Sequence, residues 1–280
     1  MFRKLVRFSI LYVLLLSVCR PIYNYLNPDE PIFTGSYADV KHELNEEIKV
    51  ITWNVKFSEN IDEALAELKN VEKLKEADII LLQEMNEEGV DKIAKSLECN
   101  YVYYPASIHT HYGKIFGNAV LTKMQISDSQ KIVLPYQNPK NGQKHIAVRA
   151  TIVINDYKVL VYSVHTETFW LSSRQRGVQL DYFVNNTGNE SKYVIIGGDF
   201  NTMTPQSVVN LAKRFRRFGL ERASNNAGPT VEIGGFRFAM DHIFARNMTV
   251  LETGVWSETK ASDQSPLWAV LRFERQSYLQ

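Results

Sequence analysis

At 280 residues, with 45% hydrophobic and 22% charged side chains, the chain can bury a large core, and its composition excludes a disordered or fibrous protein. Its 32 basic and 31 acidic residues give no overall positive field of the kind a dedicated nucleic-acid binder carries. Cys99 is the only cysteine beyond the N-terminal segment, which excludes an internal disulfide or a cysteine-type zinc site in the body.

The first twenty residues differ from the rest. Arg3, Lys4 and Arg7 precede an uncharged run at 8–19 (FSILYVLLLSVC), which Arg20 and Pro21 stop. The run falls short of the roughly 20 residues that span a bilayer and has the length of a signal-peptide core. A buried N-terminal helix is the plainer alternative; the abutting cations and the missing polar face count against it. No small-x-small cleavage site stands out, so retention as an anchor is slightly preferred to cleavage. Residues 16–19 (LSVC) loosely follow a lipoprotein box at Cys19, although Val18 is bulkier than that motif's usual residue. The expectation is an exported protein, anchored in the cell membrane through its N-terminus or released as a secreted or periplasmic form. Residues 1–20 are then signal or anchor, 21–46 a tether, and 47–275 one domain, since no Pro/Gly/Ser-rich or highly charged linker divides them. Residues 31–280 hold 28 basic and 29 acidic side chains, so the body is nearly neutral.

Short apolar, β-branched runs follow, each ending in a polar residue with chemistry. They lie at 48–55 (IKVITWNV), 77–84 (ADIILLQE), 159–165 (VLVYSVH), 193–201 (YVIIGGDFN), 238–244 (FAMDHIF) and 268–273 (WAVLRF). Near-continuous apolar runs mean strands covered on both faces. Between them, Ile61, Leu65, Leu68 and Leu74 form one helical stripe, and Val90, Ile93, Ala94 and Leu97 another. Thr204 caps a further helix with Pro205 in its first turn, and Gly219 closes it. A hairpin turn at Asn155-Asp156 argues for mixed rather than purely parallel sheets. The stretch at 101–117 (YVYYPASIHTHYGKIFG) reads as an irregular, substrate-lining loop, with His109 and His111 as exposed histidines or, less simply, a pair of metal ligands.

Sheets covered by helices bind ligands at strand ends, where polar residues escape the desolvation cost of the core. Asn54, Glu84, His165, Asp199, Asn201 and Asp241 sit at or near such ends, and Asp263 precedes another strand. Any one of them alone is a turn former or a cap. Together, in one register, they point to a site.

The order and wording of these segments resemble the endonuclease/exonuclease/phosphatase superfamily, which includes deoxyribonuclease I, apurinic endonucleases, sphingomyelinases and inositol-polyphosphate phosphatases. The resemblance rests on Thr52-Trp53-Asn54-Val55, Leu82-Gln83-Glu84, Gly117-Asn118-Ala119-Val120-Leu121, Ser163-Val164-His165-Thr166, Gly198-Asp199-Phe200-Asn201, Met240-Asp241-His242 and Ser262-Asp263-Gln264-Ser265-Pro266. It implies an α/β fold, a four-layer sandwich of two stacked mixed β-sheets flanked by helices, and a divalent-metal-dependent phosphodiester hydrolase. Mg²⁺, or Mn²⁺ in its place, would be held by Glu84, with Asp263 second and Asn54 contributing through its amide oxygen or a bound water; a hard cation is usually held by one or two carboxylates plus substrate oxygens. Asp199 and Asn201 would face the attacking water and the phosphate, His165 would donate to the phosphate or the leaving group, Asp241 would orient a second histidine, and Asn118 and Asn201 would bind substrate.

That second histidine normally follows the aspartate of the late motif, and here the position is Gln264. Glutamine hydrogen-bonds but carries no proton at neutral pH, and losing a general acid–base removes about 10²–10⁴ in rate. His242 is no substitute, because adjacent strand residues point to opposite faces. The alternative is therefore a catalytically degenerate protein of the same fold that binds a phosphate-bearing ligand. Lys213, Arg214, Arg216 and Arg217, interleaved with Phe215 and Phe218, would contact a phosphate backbone or anionic lipid; more simply, the cations complement a helix C-terminus and the phenylalanines pack inward. Arg176 and Gln179, one helical turn apart, are expected to orient loops. The expected partner is a phosphodiester in nucleic acid or a lipid headgroup; no protein partner is expected.

Overall fold

The computed structural model describes residues 22–39, 47–108, 113–154, 157–168, 170–186 and 191–274. The signal or anchor segment, the His109–His111 pair and the Asn155-Asp156 turn lie outside the described residues. Two large sheets form the body. The first runs, in spatial order, β1 (Phe33–Gly35), β4 (Asn100–Ile108), β5 (Ile115–Thr122), β3 (Ile79–Met85), β2 (Glu47–Asn54), β15 (Leu267–Phe273) and β14 (Met248–Val255). The second runs β10 (Glu221–Arg222), β13 (Asp241–Arg246), β9 (Tyr193–Asp199), β8 (Tyr157–His165), β7 (Ile146–Ile154) and β6 (Ile126–Val133). A small hairpin joins β11 (Val231–Ile233) to β12 (Phe236–Phe238). Both large sheets are mixed: β2 pairs β3 in parallel and β8 pairs β9 in parallel, while the remaining pairs are antiparallel.

The two-residue period of each strand sorts its side chains between two cores. Ile48 and Val50 of β2, Ile79 and Leu81 of β3, Val159 and Val161 of β8, and Ile195 of β9 face one another between the sheets. Their neighbours Ile51, Trp53, Ile80 and Leu82 face outward and pack against α1 (Ile61–Asn70) and α2 (Glu87–Ser96). On the second sheet, Leu160, Tyr162, Val164, Val194, Ile196 and Phe244 pack against α3 (Ser173–Asn186) and α4 (Pro205–Arg216) through Phe183, Leu211 and Phe215. The molecule is thus the four-layer α/β/β/α sandwich expected from the sequence. Gly197 leaves room for the facing sheet: a Cβ there would sit 2.6 Å from Leu81 Cδ1.

Two sequence expectations change. Residues 22–39, assigned to a tether, pack onto the edge of the first sheet: β1 pairs with β4, Tyr25 N–H donates to Ala106 O, and Asn24 donates to Gly142 O. The aromatic stretch read as irregular forms β4 and the start of β5, because Tyr101 and Tyr103 alternate with Val102 and Tyr104 on opposite faces despite Pro105. Leu74 joins the outer core from the turn beyond α1 rather than from the helix itself. No helix among the described residues is long and apolar enough to cross a membrane.

Candidate active site

Continuing each strand's inner face to its C-terminal end turns it from apolar to polar. Asn54 follows Ile48 and Val50 on β2; His165 follows Val159 and Val161 on β8; Asp199 follows Tyr193 and Ile195 on β9. Asp241 opens β13 directly opposite Asp199 in the ladder, and His165 pairs with Asp199 from the other side. The site is the edge where the inner faces of both sheets meet solvent.

Glu84 reaches this edge by a different route. Strict alternation would send it outward with Ile80 and Leu82. The β3–β5 register shifts between Leu82 and Met85, and Glu84 takes a left-handed backbone (φ 57°), so a bulge re-aims its carboxylate. The chain leaving β2 is bent as sharply: Lys56, Phe57 and Ser58 are all left-handed, which is costly for side chains with a Cβ. This bend lets the Phe57 backbone N–H donate to Glu84.

The contacts knit the two sheets together. Asn54 Nδ2 donates to Glu84 Oε1 at 3.0 Å and to Asp199 Oδ2 at 3.2 Å. Asp199 Oδ2 also accepts from Gln264 Nε2 at 2.8 Å, and its Oδ1 accepts from the Asn201 backbone N–H at 2.8 Å. His165 Nε2 stands 3.8 Å from Asp199 Oδ2 and 3.9 Å from Glu84 Oε1. The late loop is fixed by its backbone: Trp53 Nε1 donates to Gln264 O, and Ser262 Oγ donates to Asn54 O and accepts from Gln264 N–H.

Charge in this edge is poorly answered by protein. Burial, reinforced by Asp199 and Asp263, pushes Glu84 up to about 8 despite its hydrogen bonds. Burial likewise raises Asp199, against the pull of Gln264, Asn201 and Asn54. Asp241 stands well above the ordinary carboxylate range through burial and then the Asp199 charge, with only Thr230 opposing. Its two carboxylate oxygens are buried without hydrogen-bond partners of sound geometry. His165 is held well below its usual value by burial and by His145. Convergent carboxylates that repel one another, Asp241 among them without a hydrogen-bond partner, fit a hard divalent cation, which needs only one or two of them. Among the described residues, no group of three or more His, Cys, Asp and Glu side chains is arranged to hold an ion.

Several assignments shift. Asn54 turns its amide N–H groups to Glu84 and Asp199, and its oxygen accepts from Lys56 N–H at 3.1 Å. Asn118 lies one layer deeper and donates to Ile146 O and Ser163 O, bracing the two sheets rather than meeting substrate. Asn201 gives one amide proton to Thr166 O and its backbone N–H to Asp199. Asp263 is largely exposed, 3.7 Å from Lys56 Nζ, and acts on Glu84 and Asp241 through its charge. Among the described residues, no histidine hydrogen-bonds the Asp241 carboxylate. His242 points away, as strand alternation requires, against Phe200 and Phe244 with its Nε2 2.7 Å from Thr202 Oγ1. Gln179 braces Pro135 O and Glu167 N–H from within α3.

Two buried residues were not singled out from the sequence. The His145 ring packs edge-on against His165, with centroids 4.4 Å apart, and its Nδ1 lies 3.2 Å from Glu167 Oε2. Glu167 Oε1 accepts from Asn138 and from the Thr168 N–H and hydroxyl. His145 lowers Glu167, although burial alone would raise it. The one available signal was a histidine immediately before an apolar strand (KHIAV) and a glutamate two residues beyond the His165 motif.

A sequence profile of the Endonuclease/Exonuclease/phosphatase family matches residues 51–263. A UPF0294 protein of Erwinia tasmaniensis is 26% identical over 250 residues, covering 86% of this chain and 84% of its own. Among solved structures, an endonuclease/exonuclease/phosphatase from Bacteroides vulgatus superposes with a TM-score of 0.67 at 15% identity, over 81% of this chain and 99% of that one. D. rerio TDP2 complexed with a single-strand DNA product gives a TM-score of 0.65 at 16% identity, and the mannosyl-6-phosphatase Bt3783 of Bacteroides thetaiotaomicron gives 0.62 at 16%; each comparison covers 81% of this chain and 100% of the other.

Proposed function

The chain belongs to the endonuclease/exonuclease/phosphatase family, and on that footing we propose that it is a divalent-metal-dependent phosphodiesterase acting outside the cytoplasm, with a nucleic-acid strand as its first substrate class. The observation that carries this reading is the meeting of Glu84 from one sheet with Asp199 and Asp241 from the other, at one edge of the sandwich around the Asn54 and Gln264 amides. The fold shared with a relative holding a single-strand DNA product supports the substrate class. The charged N-terminus with its apolar run supports export and membrane attachment.

Glu84, with Asp263 beside it, would hold the ion, Mg²⁺ before Mn²⁺. When bound, such an ion screens the phosphate charge and steadies the leaving oxygen. The chain's own residues do the rest. Asp199, fastened by three donors, presents a fixed carboxylate to orient a water and draw its proton. His165 Nε2, kept neutral by burial, offers an N–H to a phosphate oxygen within reach of Glu84 and Asp199. With Gln264 unable to deliver a proton, that role falls to Asp241, which stands opposite Asp199 in the ladder and whose hold on its proton burial strengthens.

A second reading, a degenerate phosphate binder, draws on the Gln264 amide: it donates to Asp199, and its Oε1 is buried without a partner. Full-length protein assayed with and without Mg²⁺ on plasmid DNA, bis-p-nitrophenyl phosphate and choline phospholipids separates the two. Metal-dependent hydrolysis abolished by Glu84→Ala supports the enzyme. No turnover on any substrate, with activity appearing in Gln264→His, supports the binder.

A further inference from the structure

Between α3 and α4, against the candidate active site, lies a cavity of about 450 Å³. Asn201 and Thr166 form its inner end, so its wall is continuous with the edge that holds Asp199. Arg176 from α3 and Lys213, Arg214 and Arg217 from the end of α4 line it, and among the described residues no carboxylate does. In a body with near-equal basic and acidic counts, this is a local concentration of positive charge.

The four cations differ in what they do. Arg214 pairs with Asp181 and lies over Gly177, where a Cβ would come within 3.0 Å of its guanidinium, so it clamps the helices together. Arg216, on the opposite face, is neutralised by Glu221. Arg176, Lys213 and Arg217 meet no carboxylate among the described residues; Arg176 spends one N–H on Leu171 O. The lining of α4 begins at the Thr204 cap and continues through Ser207 and Asn210 to Lys213 and Arg217. At 1.5 Å per residue that track is about 20 Å long. Such a length suits successive phosphates of one chain, and a lone anion would need only a fraction of it. Half-buried Arg176 on one helix faces exposed Lys213 and Arg217 on the other across the cleft, whereas an anionic lipid surface is met by one flat face.

We propose that this cleft holds the phosphates adjoining the scissile one in single-stranded nucleic acid, a proposal that rests on the phosphodiesterase reading above. Arginine forks and the lysine would bind the phosphodiester oxygens, giving affinity without base specificity.

The test compares the full-length protein with Lys213→Ala/Arg217→Ala and with Arg216→Ala as a control on the outward face. Each is assayed on a short single-stranded oligodeoxynucleotide and on bis-p-nitrophenyl phosphate, which has no second phosphate. The expected result is a loss in kcat/KM on the oligonucleotide exceeding that on the small substrate by about tenfold or more, with the dependence of log affinity on log salt falling by about 0.7 per contact removed. Arg216→Ala should retain the wild-type ratio. Equal losses on both substrates overturn the proposal and leave the phosphodiesterase reading intact. If no form turns over, anisotropy with a fluorescein-labelled oligonucleotide decides: binding weakened only in the double variant supports the cleft while the enzyme reading fails. Unchanged oligonucleotide binding together with lost binding to phosphatidylglycerol vesicles assigns the cations to a membrane and overturns it.

Discussion

A glutamine where a histidine is expected leaves Asp241 without the partner it would orient, and burial, with the Asp199 charge, holds its carboxyl well above the ordinary range. Two properties should therefore move in opposite directions in Asp241→Asn. Turnover should fall by about 10²–10⁴ if Asp241 supplies the proton, while stability above neutral pH should rise, because a repelling carboxylate has gone. Steady-state kcat and urea unfolding at pH 8 measure the two; an unchanged kcat would remove Asp241 from the chemistry. His145→Ala should destabilise by about 1–3 kcal/mol in urea unfolding, since buried Glu167 would lose the ring nitrogen beside its Oε2, and adding Glu167→Gln should recover part of that loss. Glu84, His165 and Asp199 were legible in the sequence because each ends an apolar run. His145 and Glu167 were not. Nothing local marks a polar residue that only tertiary packing buries.

The elements themselves were readable where the sequence carried their stop and start signals. Thr204, Pro205 and Ser207 form a capping box with proline in the first turn, so Thr204→Ala should cost about 1 kcal/mol, measured by urea unfolding. A loss well below that would mean that packing of Leu211 and Phe215 alone holds the helix. The strands at 48–55, 159–165 and 193–201 were likewise visible from their apolar continuity. What escaped was departure from regularity. The bulge that turns Glu84 inward and the three left-handed residues after β2 contain no glycine, so no residue type announced them. Pro105 concealed the tyrosine alternation of β4, and the pairing of residues 22–39 with the first sheet depends on partners far along the chain.

For the whole molecule, the crowded carboxylates set how stability follows pH. Glu84 rises from 4.5 to about 8 on folding, and Asp199 and Asp241 rise with it. In chelator, the folded state therefore binds more protons than the unfolded one across that window. Stability should be greatest on the acid side of it and fall by up to about 1.4 kcal/mol per pH unit for each such group as pH climbs towards 8. Thermal unfolding in EDTA at pH 6 and pH 8 tests this, and Glu84→Gln should flatten the slope. Adding Mg²⁺ at one fixed concentration, about a hundred times its dissociation constant at pH 8, should restore roughly 2.7 kcal/mol at pH 8 and less at pH 6. A melting temperature indifferent to metal at both pH values would count against an ion among these groups. Asn54 and Glu84 come from one sheet, and His165, Asp199 and Asp241 from the other. Beneath them, Gln83 Nε2 donates to Ser163 Oγ, Ser163 Oγ donates to Leu82 O, and Asn118 crosses to Ile146 O. Apolar faces are slippery, and greasy contact alone would let the slabs slide by a fraction of an ångström. These few bonds work as dowels, so Ser163→Ala would leave the molecule folded with its two half-sites out of line.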